Sequence, residues 1–465
     1  MKKQIDQCLR PLLTLALWLG TALSIAAQSL PTITLVTTKK IGEEITLKIA
    51  ARGPVTISGI KEEAIVEEVD QLKSSHLSEI RGLSEAFREP YTLTSSTIVI
   101  AGEVTDLNCS YIPLVKIDVG QNPHLISLNC YDTEIKDLNL TRNAALQYLE
   151  CGENQLRHLD LSRCRDLRVL RWGLGIAEEI DLKHNPKLEE LYLMRNNLTN
   201  LDLSRNPLLA DLSCGYNQIT HLDLSHQKHL RELHCHDNPL STLSVRGDKL
   251  YRLNCSNNQI KELDLSGLPI LSDLDCSKNQ LQALDLGHNP KLYHLNCSDN
   301  QLTALDLSHS PELTEFNCAR NALRALNLHH TPKLKYYLHC EENQLEELDL
   351  SSNTELKSVT CMKNRLLRIK LPTEGSALNH IQCYSNQIRG VEMTRLMKAL
   401  PFGGKDDELR IIDTADPNES NACTKSDVRL AKGKGWSVID VNGYKKYHGT
   451  PVSTTSKPKP RPRRR

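Results

Sequence analysis

The chain has 465 residues, of which 39% are hydrophobic and 4% aromatic, and its 57 basic side chains balance 57 acidic ones. A line of small, repeated burial units explains how so polar a chain stays folded, where one large globular centre does not. Setting aside six basic residues in the last stretch, and Lys2, Lys3, Arg10 and Asp6 at the start, leaves 48 basic against 56 acidic residues. Such an acidic body argues against nucleic acid as the partner.

Residues 1–27 read as a secretory signal. Lys2, Lys3 and Arg10 precede the apolar run Pro11 to Ile25, and small residues follow for cleavage near Ala26 or Ala27. The run is shorter than the roughly 20 residues that a membrane span needs. Cys8 lies before the run, which argues against a lipid-bearing cysteine. Residues 28–96 read as an N-terminal β-rich cap. Ile33-Thr-Leu35, Ile45-Thr-Leu47-Lys-Ile49 and Val55-Thr-Ile57 alternate like half-buried strands between glycines, while Ile60 to Phe87 is ambiguous and partly helical in character.

From 97 to 390 one unit recurs, shown by Leu274 to Asn300. Its central column runs Cys109, Cys130, Cys151, Trp172, Leu193, Cys214, Cys235, Cys255, Cys276, Cys297, Cys318, Cys340, Cys361 and Cys383. The steps are 21 residues, except for 20 from Cys235 to Cys255 and 22 from Cys318 to Cys340 and from Cys361 to Cys383. A period of this length with L-x-x-L-x-[LC]-x-x-N in each unit predicts a leucine-rich-repeat solenoid, mainly β. Parallel strands line its concave face, and short extended segments line the convex face, because 21 residues leave no room for a helix there. At about 4.8 Å per coil the units make a rod roughly 65 Å long. Eleven of the fourteen units carry Asn three residues after the column, where a stacked amide can satisfy both donors and acceptors of a buried turn.

Fifteen cysteines in an exported chain would ordinarily suggest disulfides. In-register side chains on parallel strands sit about 4.8 Å apart, however, and disulfide Cβ atoms want about 3.8 Å. Four zinc ligands must converge on one point, which a straight column does not do. The column is therefore expected to be buried thiols, with Cys164 at the surface and Cys423 in a cap. The L-D-L phrase stacks Asp160, Asp181, Asp202, Asp223, Asp264, Asp285 and Asp306. Calcium between these carboxylates is conceivable, but water and neighbouring Lys, Arg and His are the preferred screen. His234 and His236 share one strand face, and two ligands fall short of a metal site. No cofactor or metal is expected, and no nucleophile elbow, phosphate loop or acid pair marks an enzyme.

Residues 391–448 read as a C-terminal α/β cap, in which Thr424-Lys-Ser-Asp427 resembles a capping box opening a helix. Residues 449–465 form a basic, Pro-rich tail without a core. That tail could touch an acidic envelope polymer.

The cysteine column on a 21-residue period, with the phrases N-Q-L and L-D-L-S-x-N-P, resembles the internalin J type of bacterial leucine-rich-repeat protein over about residues 97–390. It is similar in particular to the internalin-like exported proteins of Gram-negative anaerobes, and Asp416 to Cys423 and Lys434-Gly-Trp436 resemble their capping segments. The resemblance implies a non-enzymatic protein at the cell surface, on the outer membrane or outside the cell, used in adhesion, biofilm or host contact. Against the Gram-positive members, neither a wall-sorting signal nor an immunoglobulin-like stalk is expected.

The expected ligand is a protein or a glycan on a host or bacterial surface, bound by a monomer. A structural role in the envelope is the alternative. Positions flanking the column on the concave face are expected to face solvent. In the coils from Cys255 to Cys318 these are Asn254, Ser256, Asp275, Ser277, Asn296, Ser298, Asn317 and Ala319, all small or polar. Earlier coils carry Tyr131, Tyr148, Arg171, Tyr192, Met194, Arg195 and Tyr216, with His234 and His236 at the far edge. Tyr and Arg dominate binding hot spots, so this stretch is the expected partner site.

Overall fold

The computed structural model describes residues 30–61, 64–66, 89–404 and 406–450. The expected signal, most of the ambiguous stretch from Ile60 to Phe87 and nearly all of the basic tail lie outside these. The chain divides into two compact units, one ending at Leu167 and one beginning at Arg168.

In the first unit, the alternating strands form as their pattern requires. Ile33, Leu35, Ile45, Leu47, Val55 and Ile57 are buried. Strand Thr32–Thr37 pairs antiparallel with Thr97–Ala101 and with Leu114–Asp118. Strand Glu44–Ala51 pairs antiparallel with Val104–Asn108, which opens the parallel series through Ser127–Asn129 to Tyr148–Glu150. The first coil thus has its ladder edge covered by an antiparallel strand, which removes a template for stray pairing.

The second unit continues the same grammar. Three-residue strands, beginning with Val169–Arg171 and Glu190–Tyr192, stack in parallel and in register. Each presents its middle residue to the core; Leu191, Leu212, Leu233, Leu253, Leu274, Leu295 and Phe316 are at most 1% exposed. Extended segments opposite them pair only locally, His221–Leu224 with Thr242–Val245 and Glu347–Asp349 with Arg368–Lys370. The strand series does not stop at Cys383. It runs on through Glu408–Ile412 and Ser437–Asp440, with helices Val391–Ala399 and Lys425–Gly433 in the connections. Thr424 and Asp427 form the capping box expected from the sequence. Asn421 lies 35 residues beyond Asn386 in sequence, yet it takes the ladder role for the next coil. Its amide donates to the Cys383 and Ile411 carbonyls and accepts from Ile388 N.

The asparagine ladder works as the turn chemistry demands. Asn279 Oδ1 accepts from Ile260 N at 3.0 Å, while Nδ2 donates to the carbonyls of Cys255, Cys276 and Ser277 at 3.0–3.1 Å. A second buried amide column stands at the opposite corner, where the sequence shows only N-P. Asn206 donates to the Leu182 and Asn185 carbonyls, and Asn289 to those of Leu265 and Leu268. The Asp residues of L-D-L hold the adjoining corner. Asp202, Asp223 and Asp306 each accept the backbone N–H two residues on, at 2.9–3.0 Å, which keeps their carboxyls below the usual range. Their stacking therefore has a backbone role that needs no calcium.

Every described cysteine is a buried thiol. Cys164, expected at the surface, is 0% exposed. It falls at the second amide corner, where its sulfur lies 3.7 Å from the Asn143 carbonyl and stands in for the asparagine. Burial pushes the Cys214, Cys255 and Cys297 thiols up to about 12.

Candidate functional site

Two residues after the column, the backbone turns left-handed in coil after coil. Glu153, Leu174, Arg195, Tyr216, Asp237, Asn257, Lys278 and Asp299 all have φ between +50° and +58°. Non-glycine residues seldom adopt this region, and here it is imposed by the turn leaving the strand. Many coils set that turn with a short side chain just before the column. Asn254 Oδ1 accepts Ser256 N and Oγ, and Asp275 Oδ1 does the same for Ser277, as does Asn296 Oδ1 for Ser298. Ser277, Ser298 and Ala319 are 6%, 5% and 2% exposed, so they are not the solvent-facing positions that simple alternation assigns them. Position and backbone conformation together decide which side chains reach solvent.

The nine expected site residues fall in both units. Tyr131 and Tyr148 belong to the first. Tyr131 is half-buried, lies edge-on to Tyr111 with centroids 5.5 Å apart and donates to Glu153. Tyr148 is a correction. Its ring is 1% exposed and its hydroxyl donates to Glu150 at 2.6 Å. The outward strand positions Ser127 and Asn129 are buried as well, so alternation misplaces all three and the Tyr148 ring offers nothing to a ligand.

The other seven lie in the second unit on consecutive coils. Arg171 forks Glu190 through Nε and Nη2 at 3.0 and 2.8 Å. Tyr192 lies flat on the preceding coil because Gly173 is there; a Cβ at that position would sit 2.5 Å from the ring. Met194 is half-buried beyond it. The Arg195 guanidinium stands 4.5 Å from the centre of the Tyr216 ring, a cation–π contact. Tyr216 meets His236 edge-on at 5.0 Å, and His236 rests on Gly215, where a Cβ would come within 3.0 Å of the imidazole. His236 Nδ1 binds Asp237 Oδ2 at 2.8 Å, and Asn257 donates to the other oxygen. Burial pushes the Asp237 carboxyl up, but these two donors, with the His236 charge and Tyr216, outweigh it and hold it below its usual range. His234 faces Glu232 at 3.5 Å.

The ionic pattern runs further than the sequence reading placed it. Tyr251 donates to Glu232, and Arg252 bridges Glu232 at 3.6 Å and Asp273 at 3.3 Å. His294 Nδ1 lies 2.9 Å from Asp273 Oδ1; that bond raises the imidazole and lowers the carboxyl. Tyr251, Tyr293 and Tyr336 stand four residues before the column and are 36%, 41% and 49% exposed. Their signal in the sequence was a fourth column, apart from those flanking the cysteines. Among the described residues no cluster of three His, Cys, Asp or Glu side chains is arranged to hold a metal ion, and no helix is long and apolar enough to cross a membrane.

Coil length, in-register strands and a column of buried thiols make the chain a cysteine-ladder leucine-rich-repeat protein. Its structure is similar to the functional domain of internalin J from Listeria monocytogenes, which includes a cysteine ladder, with 26% identity over 69% of this chain and 77% of that one and a TM-score of 0.54. A leucine-rich-repeat protein of Leptospira interrogans shares the fold at 18% identity, over 69% of this chain and 91% of that one, with a TM-score of 0.56. Internalin F of Listeria monocytogenes does so at 19% identity, over 65% and 93%, with a TM-score of 0.54. No family model and no curated protein matches the sequence.

Proposed function

We propose that the chain is an exported protein-binding module that acts at a cell surface or outside the cell, and that a protein partner docks on the strand face of the second unit. The carrying observation is the run Tyr192, Met194, Arg195, Tyr216, His234 and His236 on consecutive coils. Its rings are set in place by Gly173, Gly215 and the Arg195 guanidinium. Aromatic and Arg side chains fixed before binding lose little entropy and desolvate large areas, which is what a hot spot needs. At the positions flanking the column, the coils from Cys255 to Cys297 offer Asn, Asp and Ser whose polar atoms close their own turns. Likeness to internalin J and other leucine-rich-repeat proteins supports a protein-interaction module. The signal-like start supports export, and the basic tail suits a contact with an acidic envelope polymer. The test is to present the purified monomer to an array of extracellular and cell-surface proteins. Saturable retention without chemical change of the bound protein is expected. Turnover of a bound protein, or no retention at all, contradicts the reading.

A further inference from the structure

A shallow notch, largely open to solvent, lies beside the asparagine ladder of the second unit, with a volume of about 510 Å³. Its origin can be read from one residue. The position after each ladder Asn is Gln in most coils, including Gln218, Gln259, Gln280 and Gln301, and it is Pro239 in the coil of Cys235. Pro removes two things at once. It removes the long amide side chain, leaving a gap between Gln218 and Gln259, whose coils are about 9.6 Å apart at two strand spacings. It also removes a backbone donor. Gln218 N bonds Leu198 O, Gln259 N bonds Leu240 O and Gln280 N bonds Ile260 O at 2.8–2.9 Å, but Pro239 has no N–H to give the Ile219 carbonyl. The ladder of the other coils is interrupted at this floor, so the substitution costs the solenoid a bond and gains it a cavity.

The lining has a definite chemistry. Gln218 and Gln259 are exposed and stand on either side. Each amide carries a donor and an acceptor, the pair that matches neighbouring hydroxyl groups. The Pro239 ring supplies a flat apolar floor. Asp237 and Asn257 form one wall, and the Asp237 oxygens that hold His236 and Asn257 keep further lone pairs for a hydroxyl donor. Tyr216 borders the notch, with the Arg195 guanidinium against its ring. Apart from Pro239 and Tyr216 the lining is Asn, Gln and Asp, and the Asp237 carboxylate repels an anion.

We propose that this notch is a subsite for a neutral saccharide, with a sugar ring seated on Pro239 and its hydroxyls shared between Gln218, Gln259 and Asp237. This ligand class lies outside the protein-docking reading; Tyr216 borders both sites, but the residues varied here, Pro239, Gln218 and Gln259, are not among those of the docking run, so either reading can fail alone.

The experiment titrates the full chain with maltotriose, chitotriose, mannotriose and lactose, and with trigalacturonate as the anionic arm, by calorimetry and saturation-transfer NMR. At least one neutral sugar should bind with a Kd of roughly 0.1–1 mM, the weak range of a single small subsite, and trigalacturonate should not. Pro239→Gln refills the gap and restores the missing donor, so it should weaken binding at least tenfold without lowering the melting temperature. Gln218→Ala with Gln259→Ala should weaken it several-fold, which keeps the test open should the first variant misfold. Tyr192→Ala should leave sugar binding unchanged. The proposal is overturned if none of the neutral sugars binds, if trigalacturonate binds as well as they do, or if both notch variants bind like the parent chain.

Discussion

Asn279 gives the sharpest test of what holds the coils together. Replacing it with Ala removes one accepted and three donated hydrogen bonds. The carbonyls do not become orphans. Cys255 O still receives Asn258 Nδ2, Cys276 O receives Asn300 Nδ2, and Ser277 O receives Asn257 N. The loss therefore centres on Ile260 N–H, in a residue that is 0% exposed. One buried, unsatisfied donor plus the net worth of the lost bonds amounts to about 2–4 kcal/mol. Asn279→Asp separates the two halves of the amide. It keeps the acceptor for Ile260 N but turns a carboxylate oxygen towards three carbonyl oxygens, so it should cost more than Ala despite its closer shape. Because each coil leans only on its neighbours, the damage should be local. Hydrogen exchange by mass spectrometry should show faster exchange in peptides from Cys255 to Cys297, with coils far from them unchanged. An Asp variant milder than the Ala variant would refute the donor role, and uniform loss along the chain would refute the local coupling.

Further outcomes follow from buried groups. Native column thiols should resist alkylation at neutral pH, since burial holds Cys297 near about 12, and titration of the denatured, unreduced chain should find most of them reduced. Cys297→Arg should unfold neighbouring coils, by several kcal/mol, through an unpaired buried charge; mostly oxidised cysteines or a tolerated Arg contradicts this. Asp106 is 4% exposed, a carboxyl buried beside the Thr105 and Ser127 side chains. Burial raises it from 3.8 to about 6, against the pull of Thr105, Ser127 and Lys48. A raised acid supports the fold below its unfolded value, and that support is lost as pH rises through the folded one. Asp106→Asn should therefore stabilise the first unit at neutral pH by at most about 3 kcal/mol, two pKa units' worth. It should also flatten the stability profile between about pH 4 and 6; an unchanged profile counts against the burial of this carboxyl.

The solenoid was legible because its period is written in several columns at once, so Trp172 and Leu193 could replace cysteine without hiding it. The second amide column was not, because Asn289 and its counterparts read as ordinary turn residues before proline. The left-handed column left no mark either. Tyr, Asp, Lys, Arg and Leu all occupy it, and the conformation is imposed by the turn and not chosen by the residue. Tyr192 and His234 are half-buried on the face where alternation puts them, but alternation fails for Tyr148, which is buried, and for Ser277 and Ser298, which their own turns bury. The two glycines that seat Tyr192 and His236 looked like plain turn residues until the rings above them were seen.

Arg171 is a poor probe of docking, because removing it withdraws a fork from Glu190, which is only 8% exposed. Among the described residues neither Tyr192 nor Arg195 forks a buried carboxylate, and Arg195 acts on the site itself, through the Tyr216 ring. The decisive measurement is the affinity of an identified protein partner for Tyr192→Ala with Arg195→Ala, set beside Lys278→Ala with Asp299→Ala, which changes two positions in the column of Arg195 a few coils on. The first pair should lose at least about tenfold, or 1.4 kcal/mol, with the melting temperature shifted no more than a surface change shifts it, and the second pair should lose little. A larger loss from Lys278 and Asp299, or none from Tyr192 and Arg195, would place the contact elsewhere on the solenoid.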